Sequence, residues 1–232
     1  MGKESDRIAS DIACLRSADM PFTLVSTAGF HCEVWRSMGV IVREGGRTAL
    51  DFVLKVCKRA YRLPELKVLV EEHRTIHAEL EEMVPQAQFI ATEVNRKPGV
   101  IVMVENCTPW FDLSNPGNED EALPLLRRQP RARAQLGRFT ACVRRWLDEE
   151  SRIIDLCGTE NLVLDRNYQV RYLDSFHVFF YLDTLHVIDE VDDALQFRVE
   201  TSINRLEYLE RLVEALDRGR HAAFGAFPGR RG

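Results

Sequence analysis

Residues 154–177 read IDLCGTENLVLDRNYQVRYLDSFH, and this stretch decides how the rest of the chain is read. It holds two short apolar runs, Leu162-Val163-Leu164 and Val170-Arg171-Tyr172-Leu173. Between them Asp165-Arg166-Asn167 is turn chemistry, because Asp and Asn side chains satisfy the backbone of a tight bend. The spacing predicts a hairpin with Asn161 at one mouth and Asp174 at the other. Two oxygen ligands so placed suit a hard cation such as Mg²⁺. Asp155 stands six residues before Asn161, on the loop that leads into the first strand.

The chain has 232 residues, enough for one large domain or two small lobes. Its composition, 45% hydrophobic and 29% charged, is that of a globular protein rather than a disordered or membrane-embedded one. A formal net charge of -5 argues against a general nucleic-acid binder. Six cysteines are scattered without a C-x-x-C pair, which fits thiols in a reducing compartment better than a disulfide framework or zinc site. The opening MGKESDRIASDIACLRSADMP is too polar for a secretory signal, and no run is long and apolar enough for a transmembrane segment. These features lead us to expect a cytoplasmic protein.

Upstream, residues 22–58 are rich in β-branched and aromatic residues. Turn signals at Thr27-Ala28-Gly29 and at 43–46 predict an antiparallel meander. Pro64 opens a helical pattern that runs to about Met83, with Leu66, Leu69, His73, Ile76 and Leu80 on one face. Pro85 ends it. AQFIATEV and VIVMVE, joined by NRKPG, predict a second hairpin. NCTPWFDLSNPGNEDE (106–121) is read as a polar connector whose PGNEDE stretch is solvated loop. Beyond it, ARAQLGRFTACVRRWLDEE places Leu136, Phe139, Val143, Trp146 and Leu147 at amphipathic helical spacing. After the opening stretch, residues 178–220 are expected to form one or two further helices. The expected organisation is an N-terminal segment 1–20, a lobe of sheet plus helix 21–105, a mainly helical lobe 106–220 and a tail 221–232.

The order of strands, lysine-bearing strand, helix, hairpin, connector, helix, Asp-loop-Asn, hairpin and Asp resembles the protein-kinase-like fold. DFVLK (51–55) is similar to that family's V-A-I-K strand. IIDLCGTEN (153–161) resembles its H-x-D-L-x-x-x-N loop, and YLDSF (172–176) its D-F-G segment. The resemblance implies an α+β, two-lobed fold and phosphoryl transfer from ATP. Lys55 would contact the phosphates, with Glu72 as its helix partner. Glu72 is preferred to Glu71 because it lies between Leu69 and Ile76 on the edge of the apolar face. Gly29 would belong to the nucleotide-covering loop, and the adenine would lie near Glu105-Asn106-Cys107. Asn161 and Asp174 would ligate Mg²⁺, and Asp155 would orient or deprotonate the acceptor hydroxyl.

The chain departs from the family pattern in four ways. STAGFHCEV (26–34) replaces a glycine-rich loop and keeps only Gly29. Ile153 replaces the catalytic-loop histidine. The interval from Asp155 to Asn161 is one residue longer than usual, with Gly158 available to absorb it. Phe176 replaces the D-F-G glycine, and no A-P-E element follows. The short C-terminal region resembles compact bacterial small-molecule kinases of the lipopolysaccharide-core sugar kinase or aminoglycoside phosphotransferase type, which implies a small-molecule or glycan acceptor. The same departures define the alternative, a catalytically inactive kinase-like scaffold for a protein partner.

Other features have plainer readings. His73 and His77 are an i,i+4 pair without a visible third metal ligand. Arg127, Arg128, Arg131, Arg133 and Arg138 read as a solvated helix start or as contacts for an anionic substrate. Leu206, Leu209, Leu212, Val213 and Leu216 face either their own lobe or a second copy, so monomer and homodimer both stay open.

Overall fold

A computed structural model describes residue 8 and residues 10–15, 22–27, 31–43, 46–185 and 192–224. The chain divides into two compact units. The first comprises Met1–Ala78, Pro85–Cys107 and Ser175–Val178, and the second Glu79–Val84, Thr108–Asp174 and Phe179–Gly232. The class is α+β with an N-terminal antiparallel sheet.

In the first unit, β1 (Phe22–Ser26), β2 (Cys32–Arg43) and β3 (Gly46–Cys57) form the meander read from the sequence. They join β4 (Ala87–Val94) and β5 (Lys97–Glu105) in one sheet of order β1-β2-β3-β5-β4. β4 and β5 pair from Val94↔Lys97, so their loop is only Asn95-Arg96. Both residues have positive φ, 53° and 63°, the geometry that lets a two-residue hairpin follow the strand twist. α1 (Leu63–Leu80) follows β3, and its last two residues and the 3₁₀ turn Glu81–Met83 belong to the second unit.

Side chains alternate across β3, as strand geometry requires. Leu54 and Val56 pack with Ile101, Trp35, Phe22, Ile8 and Ile12 on one face of the sheet. Val53 and Cys57 pack with Tyr61, Leu69, Val102 and Phe176 on the other. Lys55 lies between Val53 and Cys57 and is only 8% exposed.

In the second unit, α2 (Glu119–Arg128) and α3 (Pro130–Glu150) precede β7 (Arg152–Ile154). The predicted hairpin is β8 (Leu162–Asp165) and β9 (Val170–Tyr172), in register Leu162↔Tyr172 and Leu164↔Val170. Asp165 holds its turn: Oδ1 accepts the amides of Asn167 (2.8 Å) and Gln169 (2.9 Å). On α3, Leu136, Phe139, Val143 and Trp146 are fully buried, as their spacing predicts. Leu206, Leu209, Leu212 and Leu216 are buried too, on α5 (Asp193–Phe224), which packs against α3 and α2 of its own unit.

Two stretches differ from the sequence reading. PGNEDE is not a solvated loop, because Glu119 starts α2. Acidic residues Glu119, Asp120 and Glu121 occupy its first turn, with Arg127 and Arg128 in the last. That charge order complements the helix dipole. The connector also hides a strand, β6 (Pro109–Asp112), paired with β8. Residues 178–185 do not begin with a helix: β10 (Phe179–Tyr181) pairs with β7, and α4 (Leu182–Leu185) is a single turn. Phe179 packs edge-on against Trp146 at 5.0 Å, and Arg152 lies over its ring at 4.2 Å. No helix of the described residues is long and apolar enough to cross a membrane.

Candidate functional site

The loop from β7 to β8 carries Asp155 and Asn161, and β9 delivers Asp174. The Asn161 Nδ2 donates to the Asp155 carbonyl at 2.9 Å. The Tyr172 hydroxyl donates to that same carbonyl at 3.1 Å. The Leu173 amide donates to the Asn161 carbonyl at 2.8 Å, fixing the residue before Asp174 to the opposite mouth of the hairpin. The three predicted residues of the second unit are therefore brought together. Burial pushes the Asp155 carboxyl above its ordinary range, and the charge of Asp174 pushes it further. Arg198 and the Cys157 amide act in the opposite direction.

Gly158 makes room for the Asn161 side chain. A Cβ there would stand 2.5 Å from Asn161 Oδ1, a separation real Cβ atoms do not adopt. The Asn161 side chain lies over the glycine because nothing projects from it. With Nδ2 engaged, Oδ1 is the atom that suits a cation.

The structure adds residues that the sequence reading did not find. Three side chains on one face of α5 hold the loop. Arg198 Nη2 pairs with Asp155 Oδ2 at 2.5 Å. The Leu156 amide donates to Ser202 Oγ at 3.0 Å. Arg205 donates to the carbonyls of Leu156, Cys157 (3.1 Å) and Gly158 (2.9 Å). Their signal is the i, i+4, i+7 spacing of Arg198, Ser202 and Arg205, which puts all three on one helical stripe. The Cys157 amide occupies Asp155 Oδ1 at 2.8 Å, so both carboxylate oxygens have a donor.

In the first unit, Lys55 sits mid-strand between Val34 of β2 and Val102 of β5. Its ammonium donates to Ser175 Oγ at 3.1 Å, and Ser175 directly follows Asp174 in sequence. Glu72 is 6% exposed on α1, beside His73. Burial lowers the His73 pKa to about 4, with the charges of His77 and Lys55 adding to the effect. Glu105 is an exposed residue closing β5, and Cys107 is half-buried just beyond it. Gly29 lies outside the described residues. Phe176 is fully buried, packed near Tyr61 and Phe89, which accounts for a large apolar residue where the resembled segment has glycine.

The other candidates resolve into structural ties. His77 pairs with Gln86 at 2.7 Å, and no group of three or more His, Cys, Asp or Glu among the described residues could hold a metal. Arg133 bonds Asp217, and Arg138 bonds Glu81 and Glu82. Arg127, Arg128 and Arg131 are exposed. No family model matches the chain, and no curated protein matches it significantly.

Proposed function

We propose that the chain is an ATP- and Mg²⁺-dependent phosphotransferase of the protein-kinase-like fold, acting on a hydroxyl of a small molecule or glycan. The observation that carries this reading is the convergence of Asp155, Asn161 and Asp174 around one hairpin. The donor set fits Mg²⁺, which takes one or two protein oxygens and completes its shell with water and substrate phosphates. Asn161 Oδ1 and the Asp174 carboxylate would hold it. Bound there, Mg²⁺ supplies charge neutralisation on the transferring phosphoryl group.

The chain's own residues take the remaining roles. Asp155 orients the acceptor hydroxyl and receives its proton, which requires one carboxylate oxygen to exchange Arg198 or the Cys157 amide for the acceptor. Lys55, 8% exposed, contacts phosphate oxygens. Glu72 is assigned as its partner, Gly29 to the nucleotide-covering loop, and Glu105 and Cys107 to the adenine.

One observation favours a second reading, a scaffold that keeps this cluster without turnover. Both oxygens of Asp155 are taken, one by a guanidinium at 2.5 Å. ATP consumption under single-turnover conditions separates the two. The phosphotransferase predicts Mg²⁺-dependent loss of ATP, reduced at least about a hundredfold in Asp174→Ala and in Asp155→Asn. ATP that persists equally in parent and variants, across sugar and aminoglycoside acceptors, contradicts catalysis and favours the scaffold.

A further inference from the structure

We infer that Cys32 and Cys57 are a cross-strand redox pair, which peroxide converts to a disulfide tying the start of β2 to the end of β3. The two face each other in the antiparallel register, Cys32↔Cys57. The Lys58 amide donates to the His31 carbonyl at 3.0 Å, which makes His31 and Lys58 a hydrogen-bonded pair of the ladder. Antiparallel pairs alternate, so Cys32 and Cys57 form the adjoining non-hydrogen-bonded pair. That pair has Cα atoms about 4.5 Å apart and the closer side chains. Disulfides span Cα separations of about 4.4–6.8 Å, so the register brings the cysteines within range without moving a strand.

Both side chains point to the same face of the sheet, into the core with Tyr61 and Phe176. They are 8% and 7% exposed, and both are reduced in the structure. Burial pushes the Cys57 thiol up, and the neighbouring Cys32 pushes it further, as expected for two sulfurs side by side. Scarce thiolate makes the reaction slow and dependent on excess oxidant.

The chemistry balances with one hydrogen peroxide. One thiolate sulfur attacks a peroxide oxygen, the O–O bond breaks, and water leaves to give a sulfenic acid. The second sulfur then displaces the sulfenic oxygen, forming the S–S bond and releasing a second water. The remaining cysteines serve as internal controls: Cys14 is exposed, and Cys107, Cys142 and Cys157 are half-buried. None of them pairs with another in the strand register.

The full-length chain, treated with hydrogen peroxide while folded, alkylated and digested without reductant, gives the test. The expected result is a Cys32–Cys57 linked peptide that dithiothreitol separates, together with a Tm several degrees above that of the reduced chain. Cys57→Ser should lose both the linked peptide and the Tm difference. If that variant does not fold, the peptide map of the parent chain decides alone. Cys32 and Cys57 recovered as alkylated thiols, while the other four are oxidised, would overturn the inference. So would a link that forms only after unfolding in guanidinium. The readout involves neither ATP nor an acceptor, so it stands or falls apart from the proposed function.

Discussion

Gly158 shows how one residue sets the chemistry of its neighbour. Because a Cβ there would stand 2.5 Å from Asn161 Oδ1, Gly158→Ala must push the Asn161 amide away from the Asp155 carbonyl. The expected cost is about 1 kcal/mol of stability, the worth of one hydrogen bond, with Mg²⁺-dependent ATP binding weakened about tenfold. Isothermal titration with and without Mg²⁺ measures the second effect. Equal affinity in parent and variant would remove Asn161 from the metal set. His73 offers a pH test. Its pKa is lowered to about 4 in the fold, by burial first and then by His77 and Lys55, whereas an unfolded histidine titrates near 6.5. The folded state therefore excludes a proton that the unfolded state binds. The stability from a neutral His73 is complete above about pH 6.5 and is lost as pH falls towards 4, up to about 3 kcal/mol. Denaturant melts at pH 7 and pH 4.5 should differ less in His73→Gln than in the parent.

At the scale of elements, the long periodic segments were legible and the short ones were not. The β1–β3 meander, α1, the Asn95-Arg96 hairpin and α3 all carry enough repeats of period 2 or 3.6 to be read. β6, β7 and β10 have only three or four residues, too few for a period, and their pairing is set by distant partners. α2 was obscured by Pro124 and by an acidic start that resembles a loop. The β8–β9 hairpin was legible from its turn, but the support from α5 was not, since Arg198 lies 43 residues from Asp155. Arg96→Gly should stabilise by about 0.5–1 kcal/mol, because φ 63° is costly for arginine and free for glycine. A rise in the denaturant midpoint at unchanged slope checks it. Arg205→Ala removes donors to three carbonyls of the 156–158 loop and should cost about 2 kcal/mol. Amide exchange should show lost protection centred on 155–161, with β2–β5 unchanged. Uniform loss of protection would contradict a local role for α5.

For the whole molecule, the chain begins in one unit, enters the other for Glu79–Val84, crosses again at Cys107–Thr108, and returns a last time for Ser175–Val178. That short return places Asp174 as the last residue of its segment and Ser175, bonded to Lys55, as the first of the next. Ser175, the acceptor of the Lys55 ammonium, is thus joined to Asp174 by a single peptide bond. Under the proposed phosphotransferase, ATP binding requires both Lys55 and Asp174. The measurement that tests it most directly is a thermal melt with ATP and Mg²⁺, with ATP and EDTA, and without nucleotide, on the parent, Asp174→Ala and Lys55→Met. Binding to the folded state alone raises Tm by mass action. The proposed phosphotransferase predicts a rise in the parent that requires Mg²⁺ and is lost in both variants. Identical melts in the parent with and without millimolar ATP, or a rise that survives EDTA and both substitutions, would contradict it.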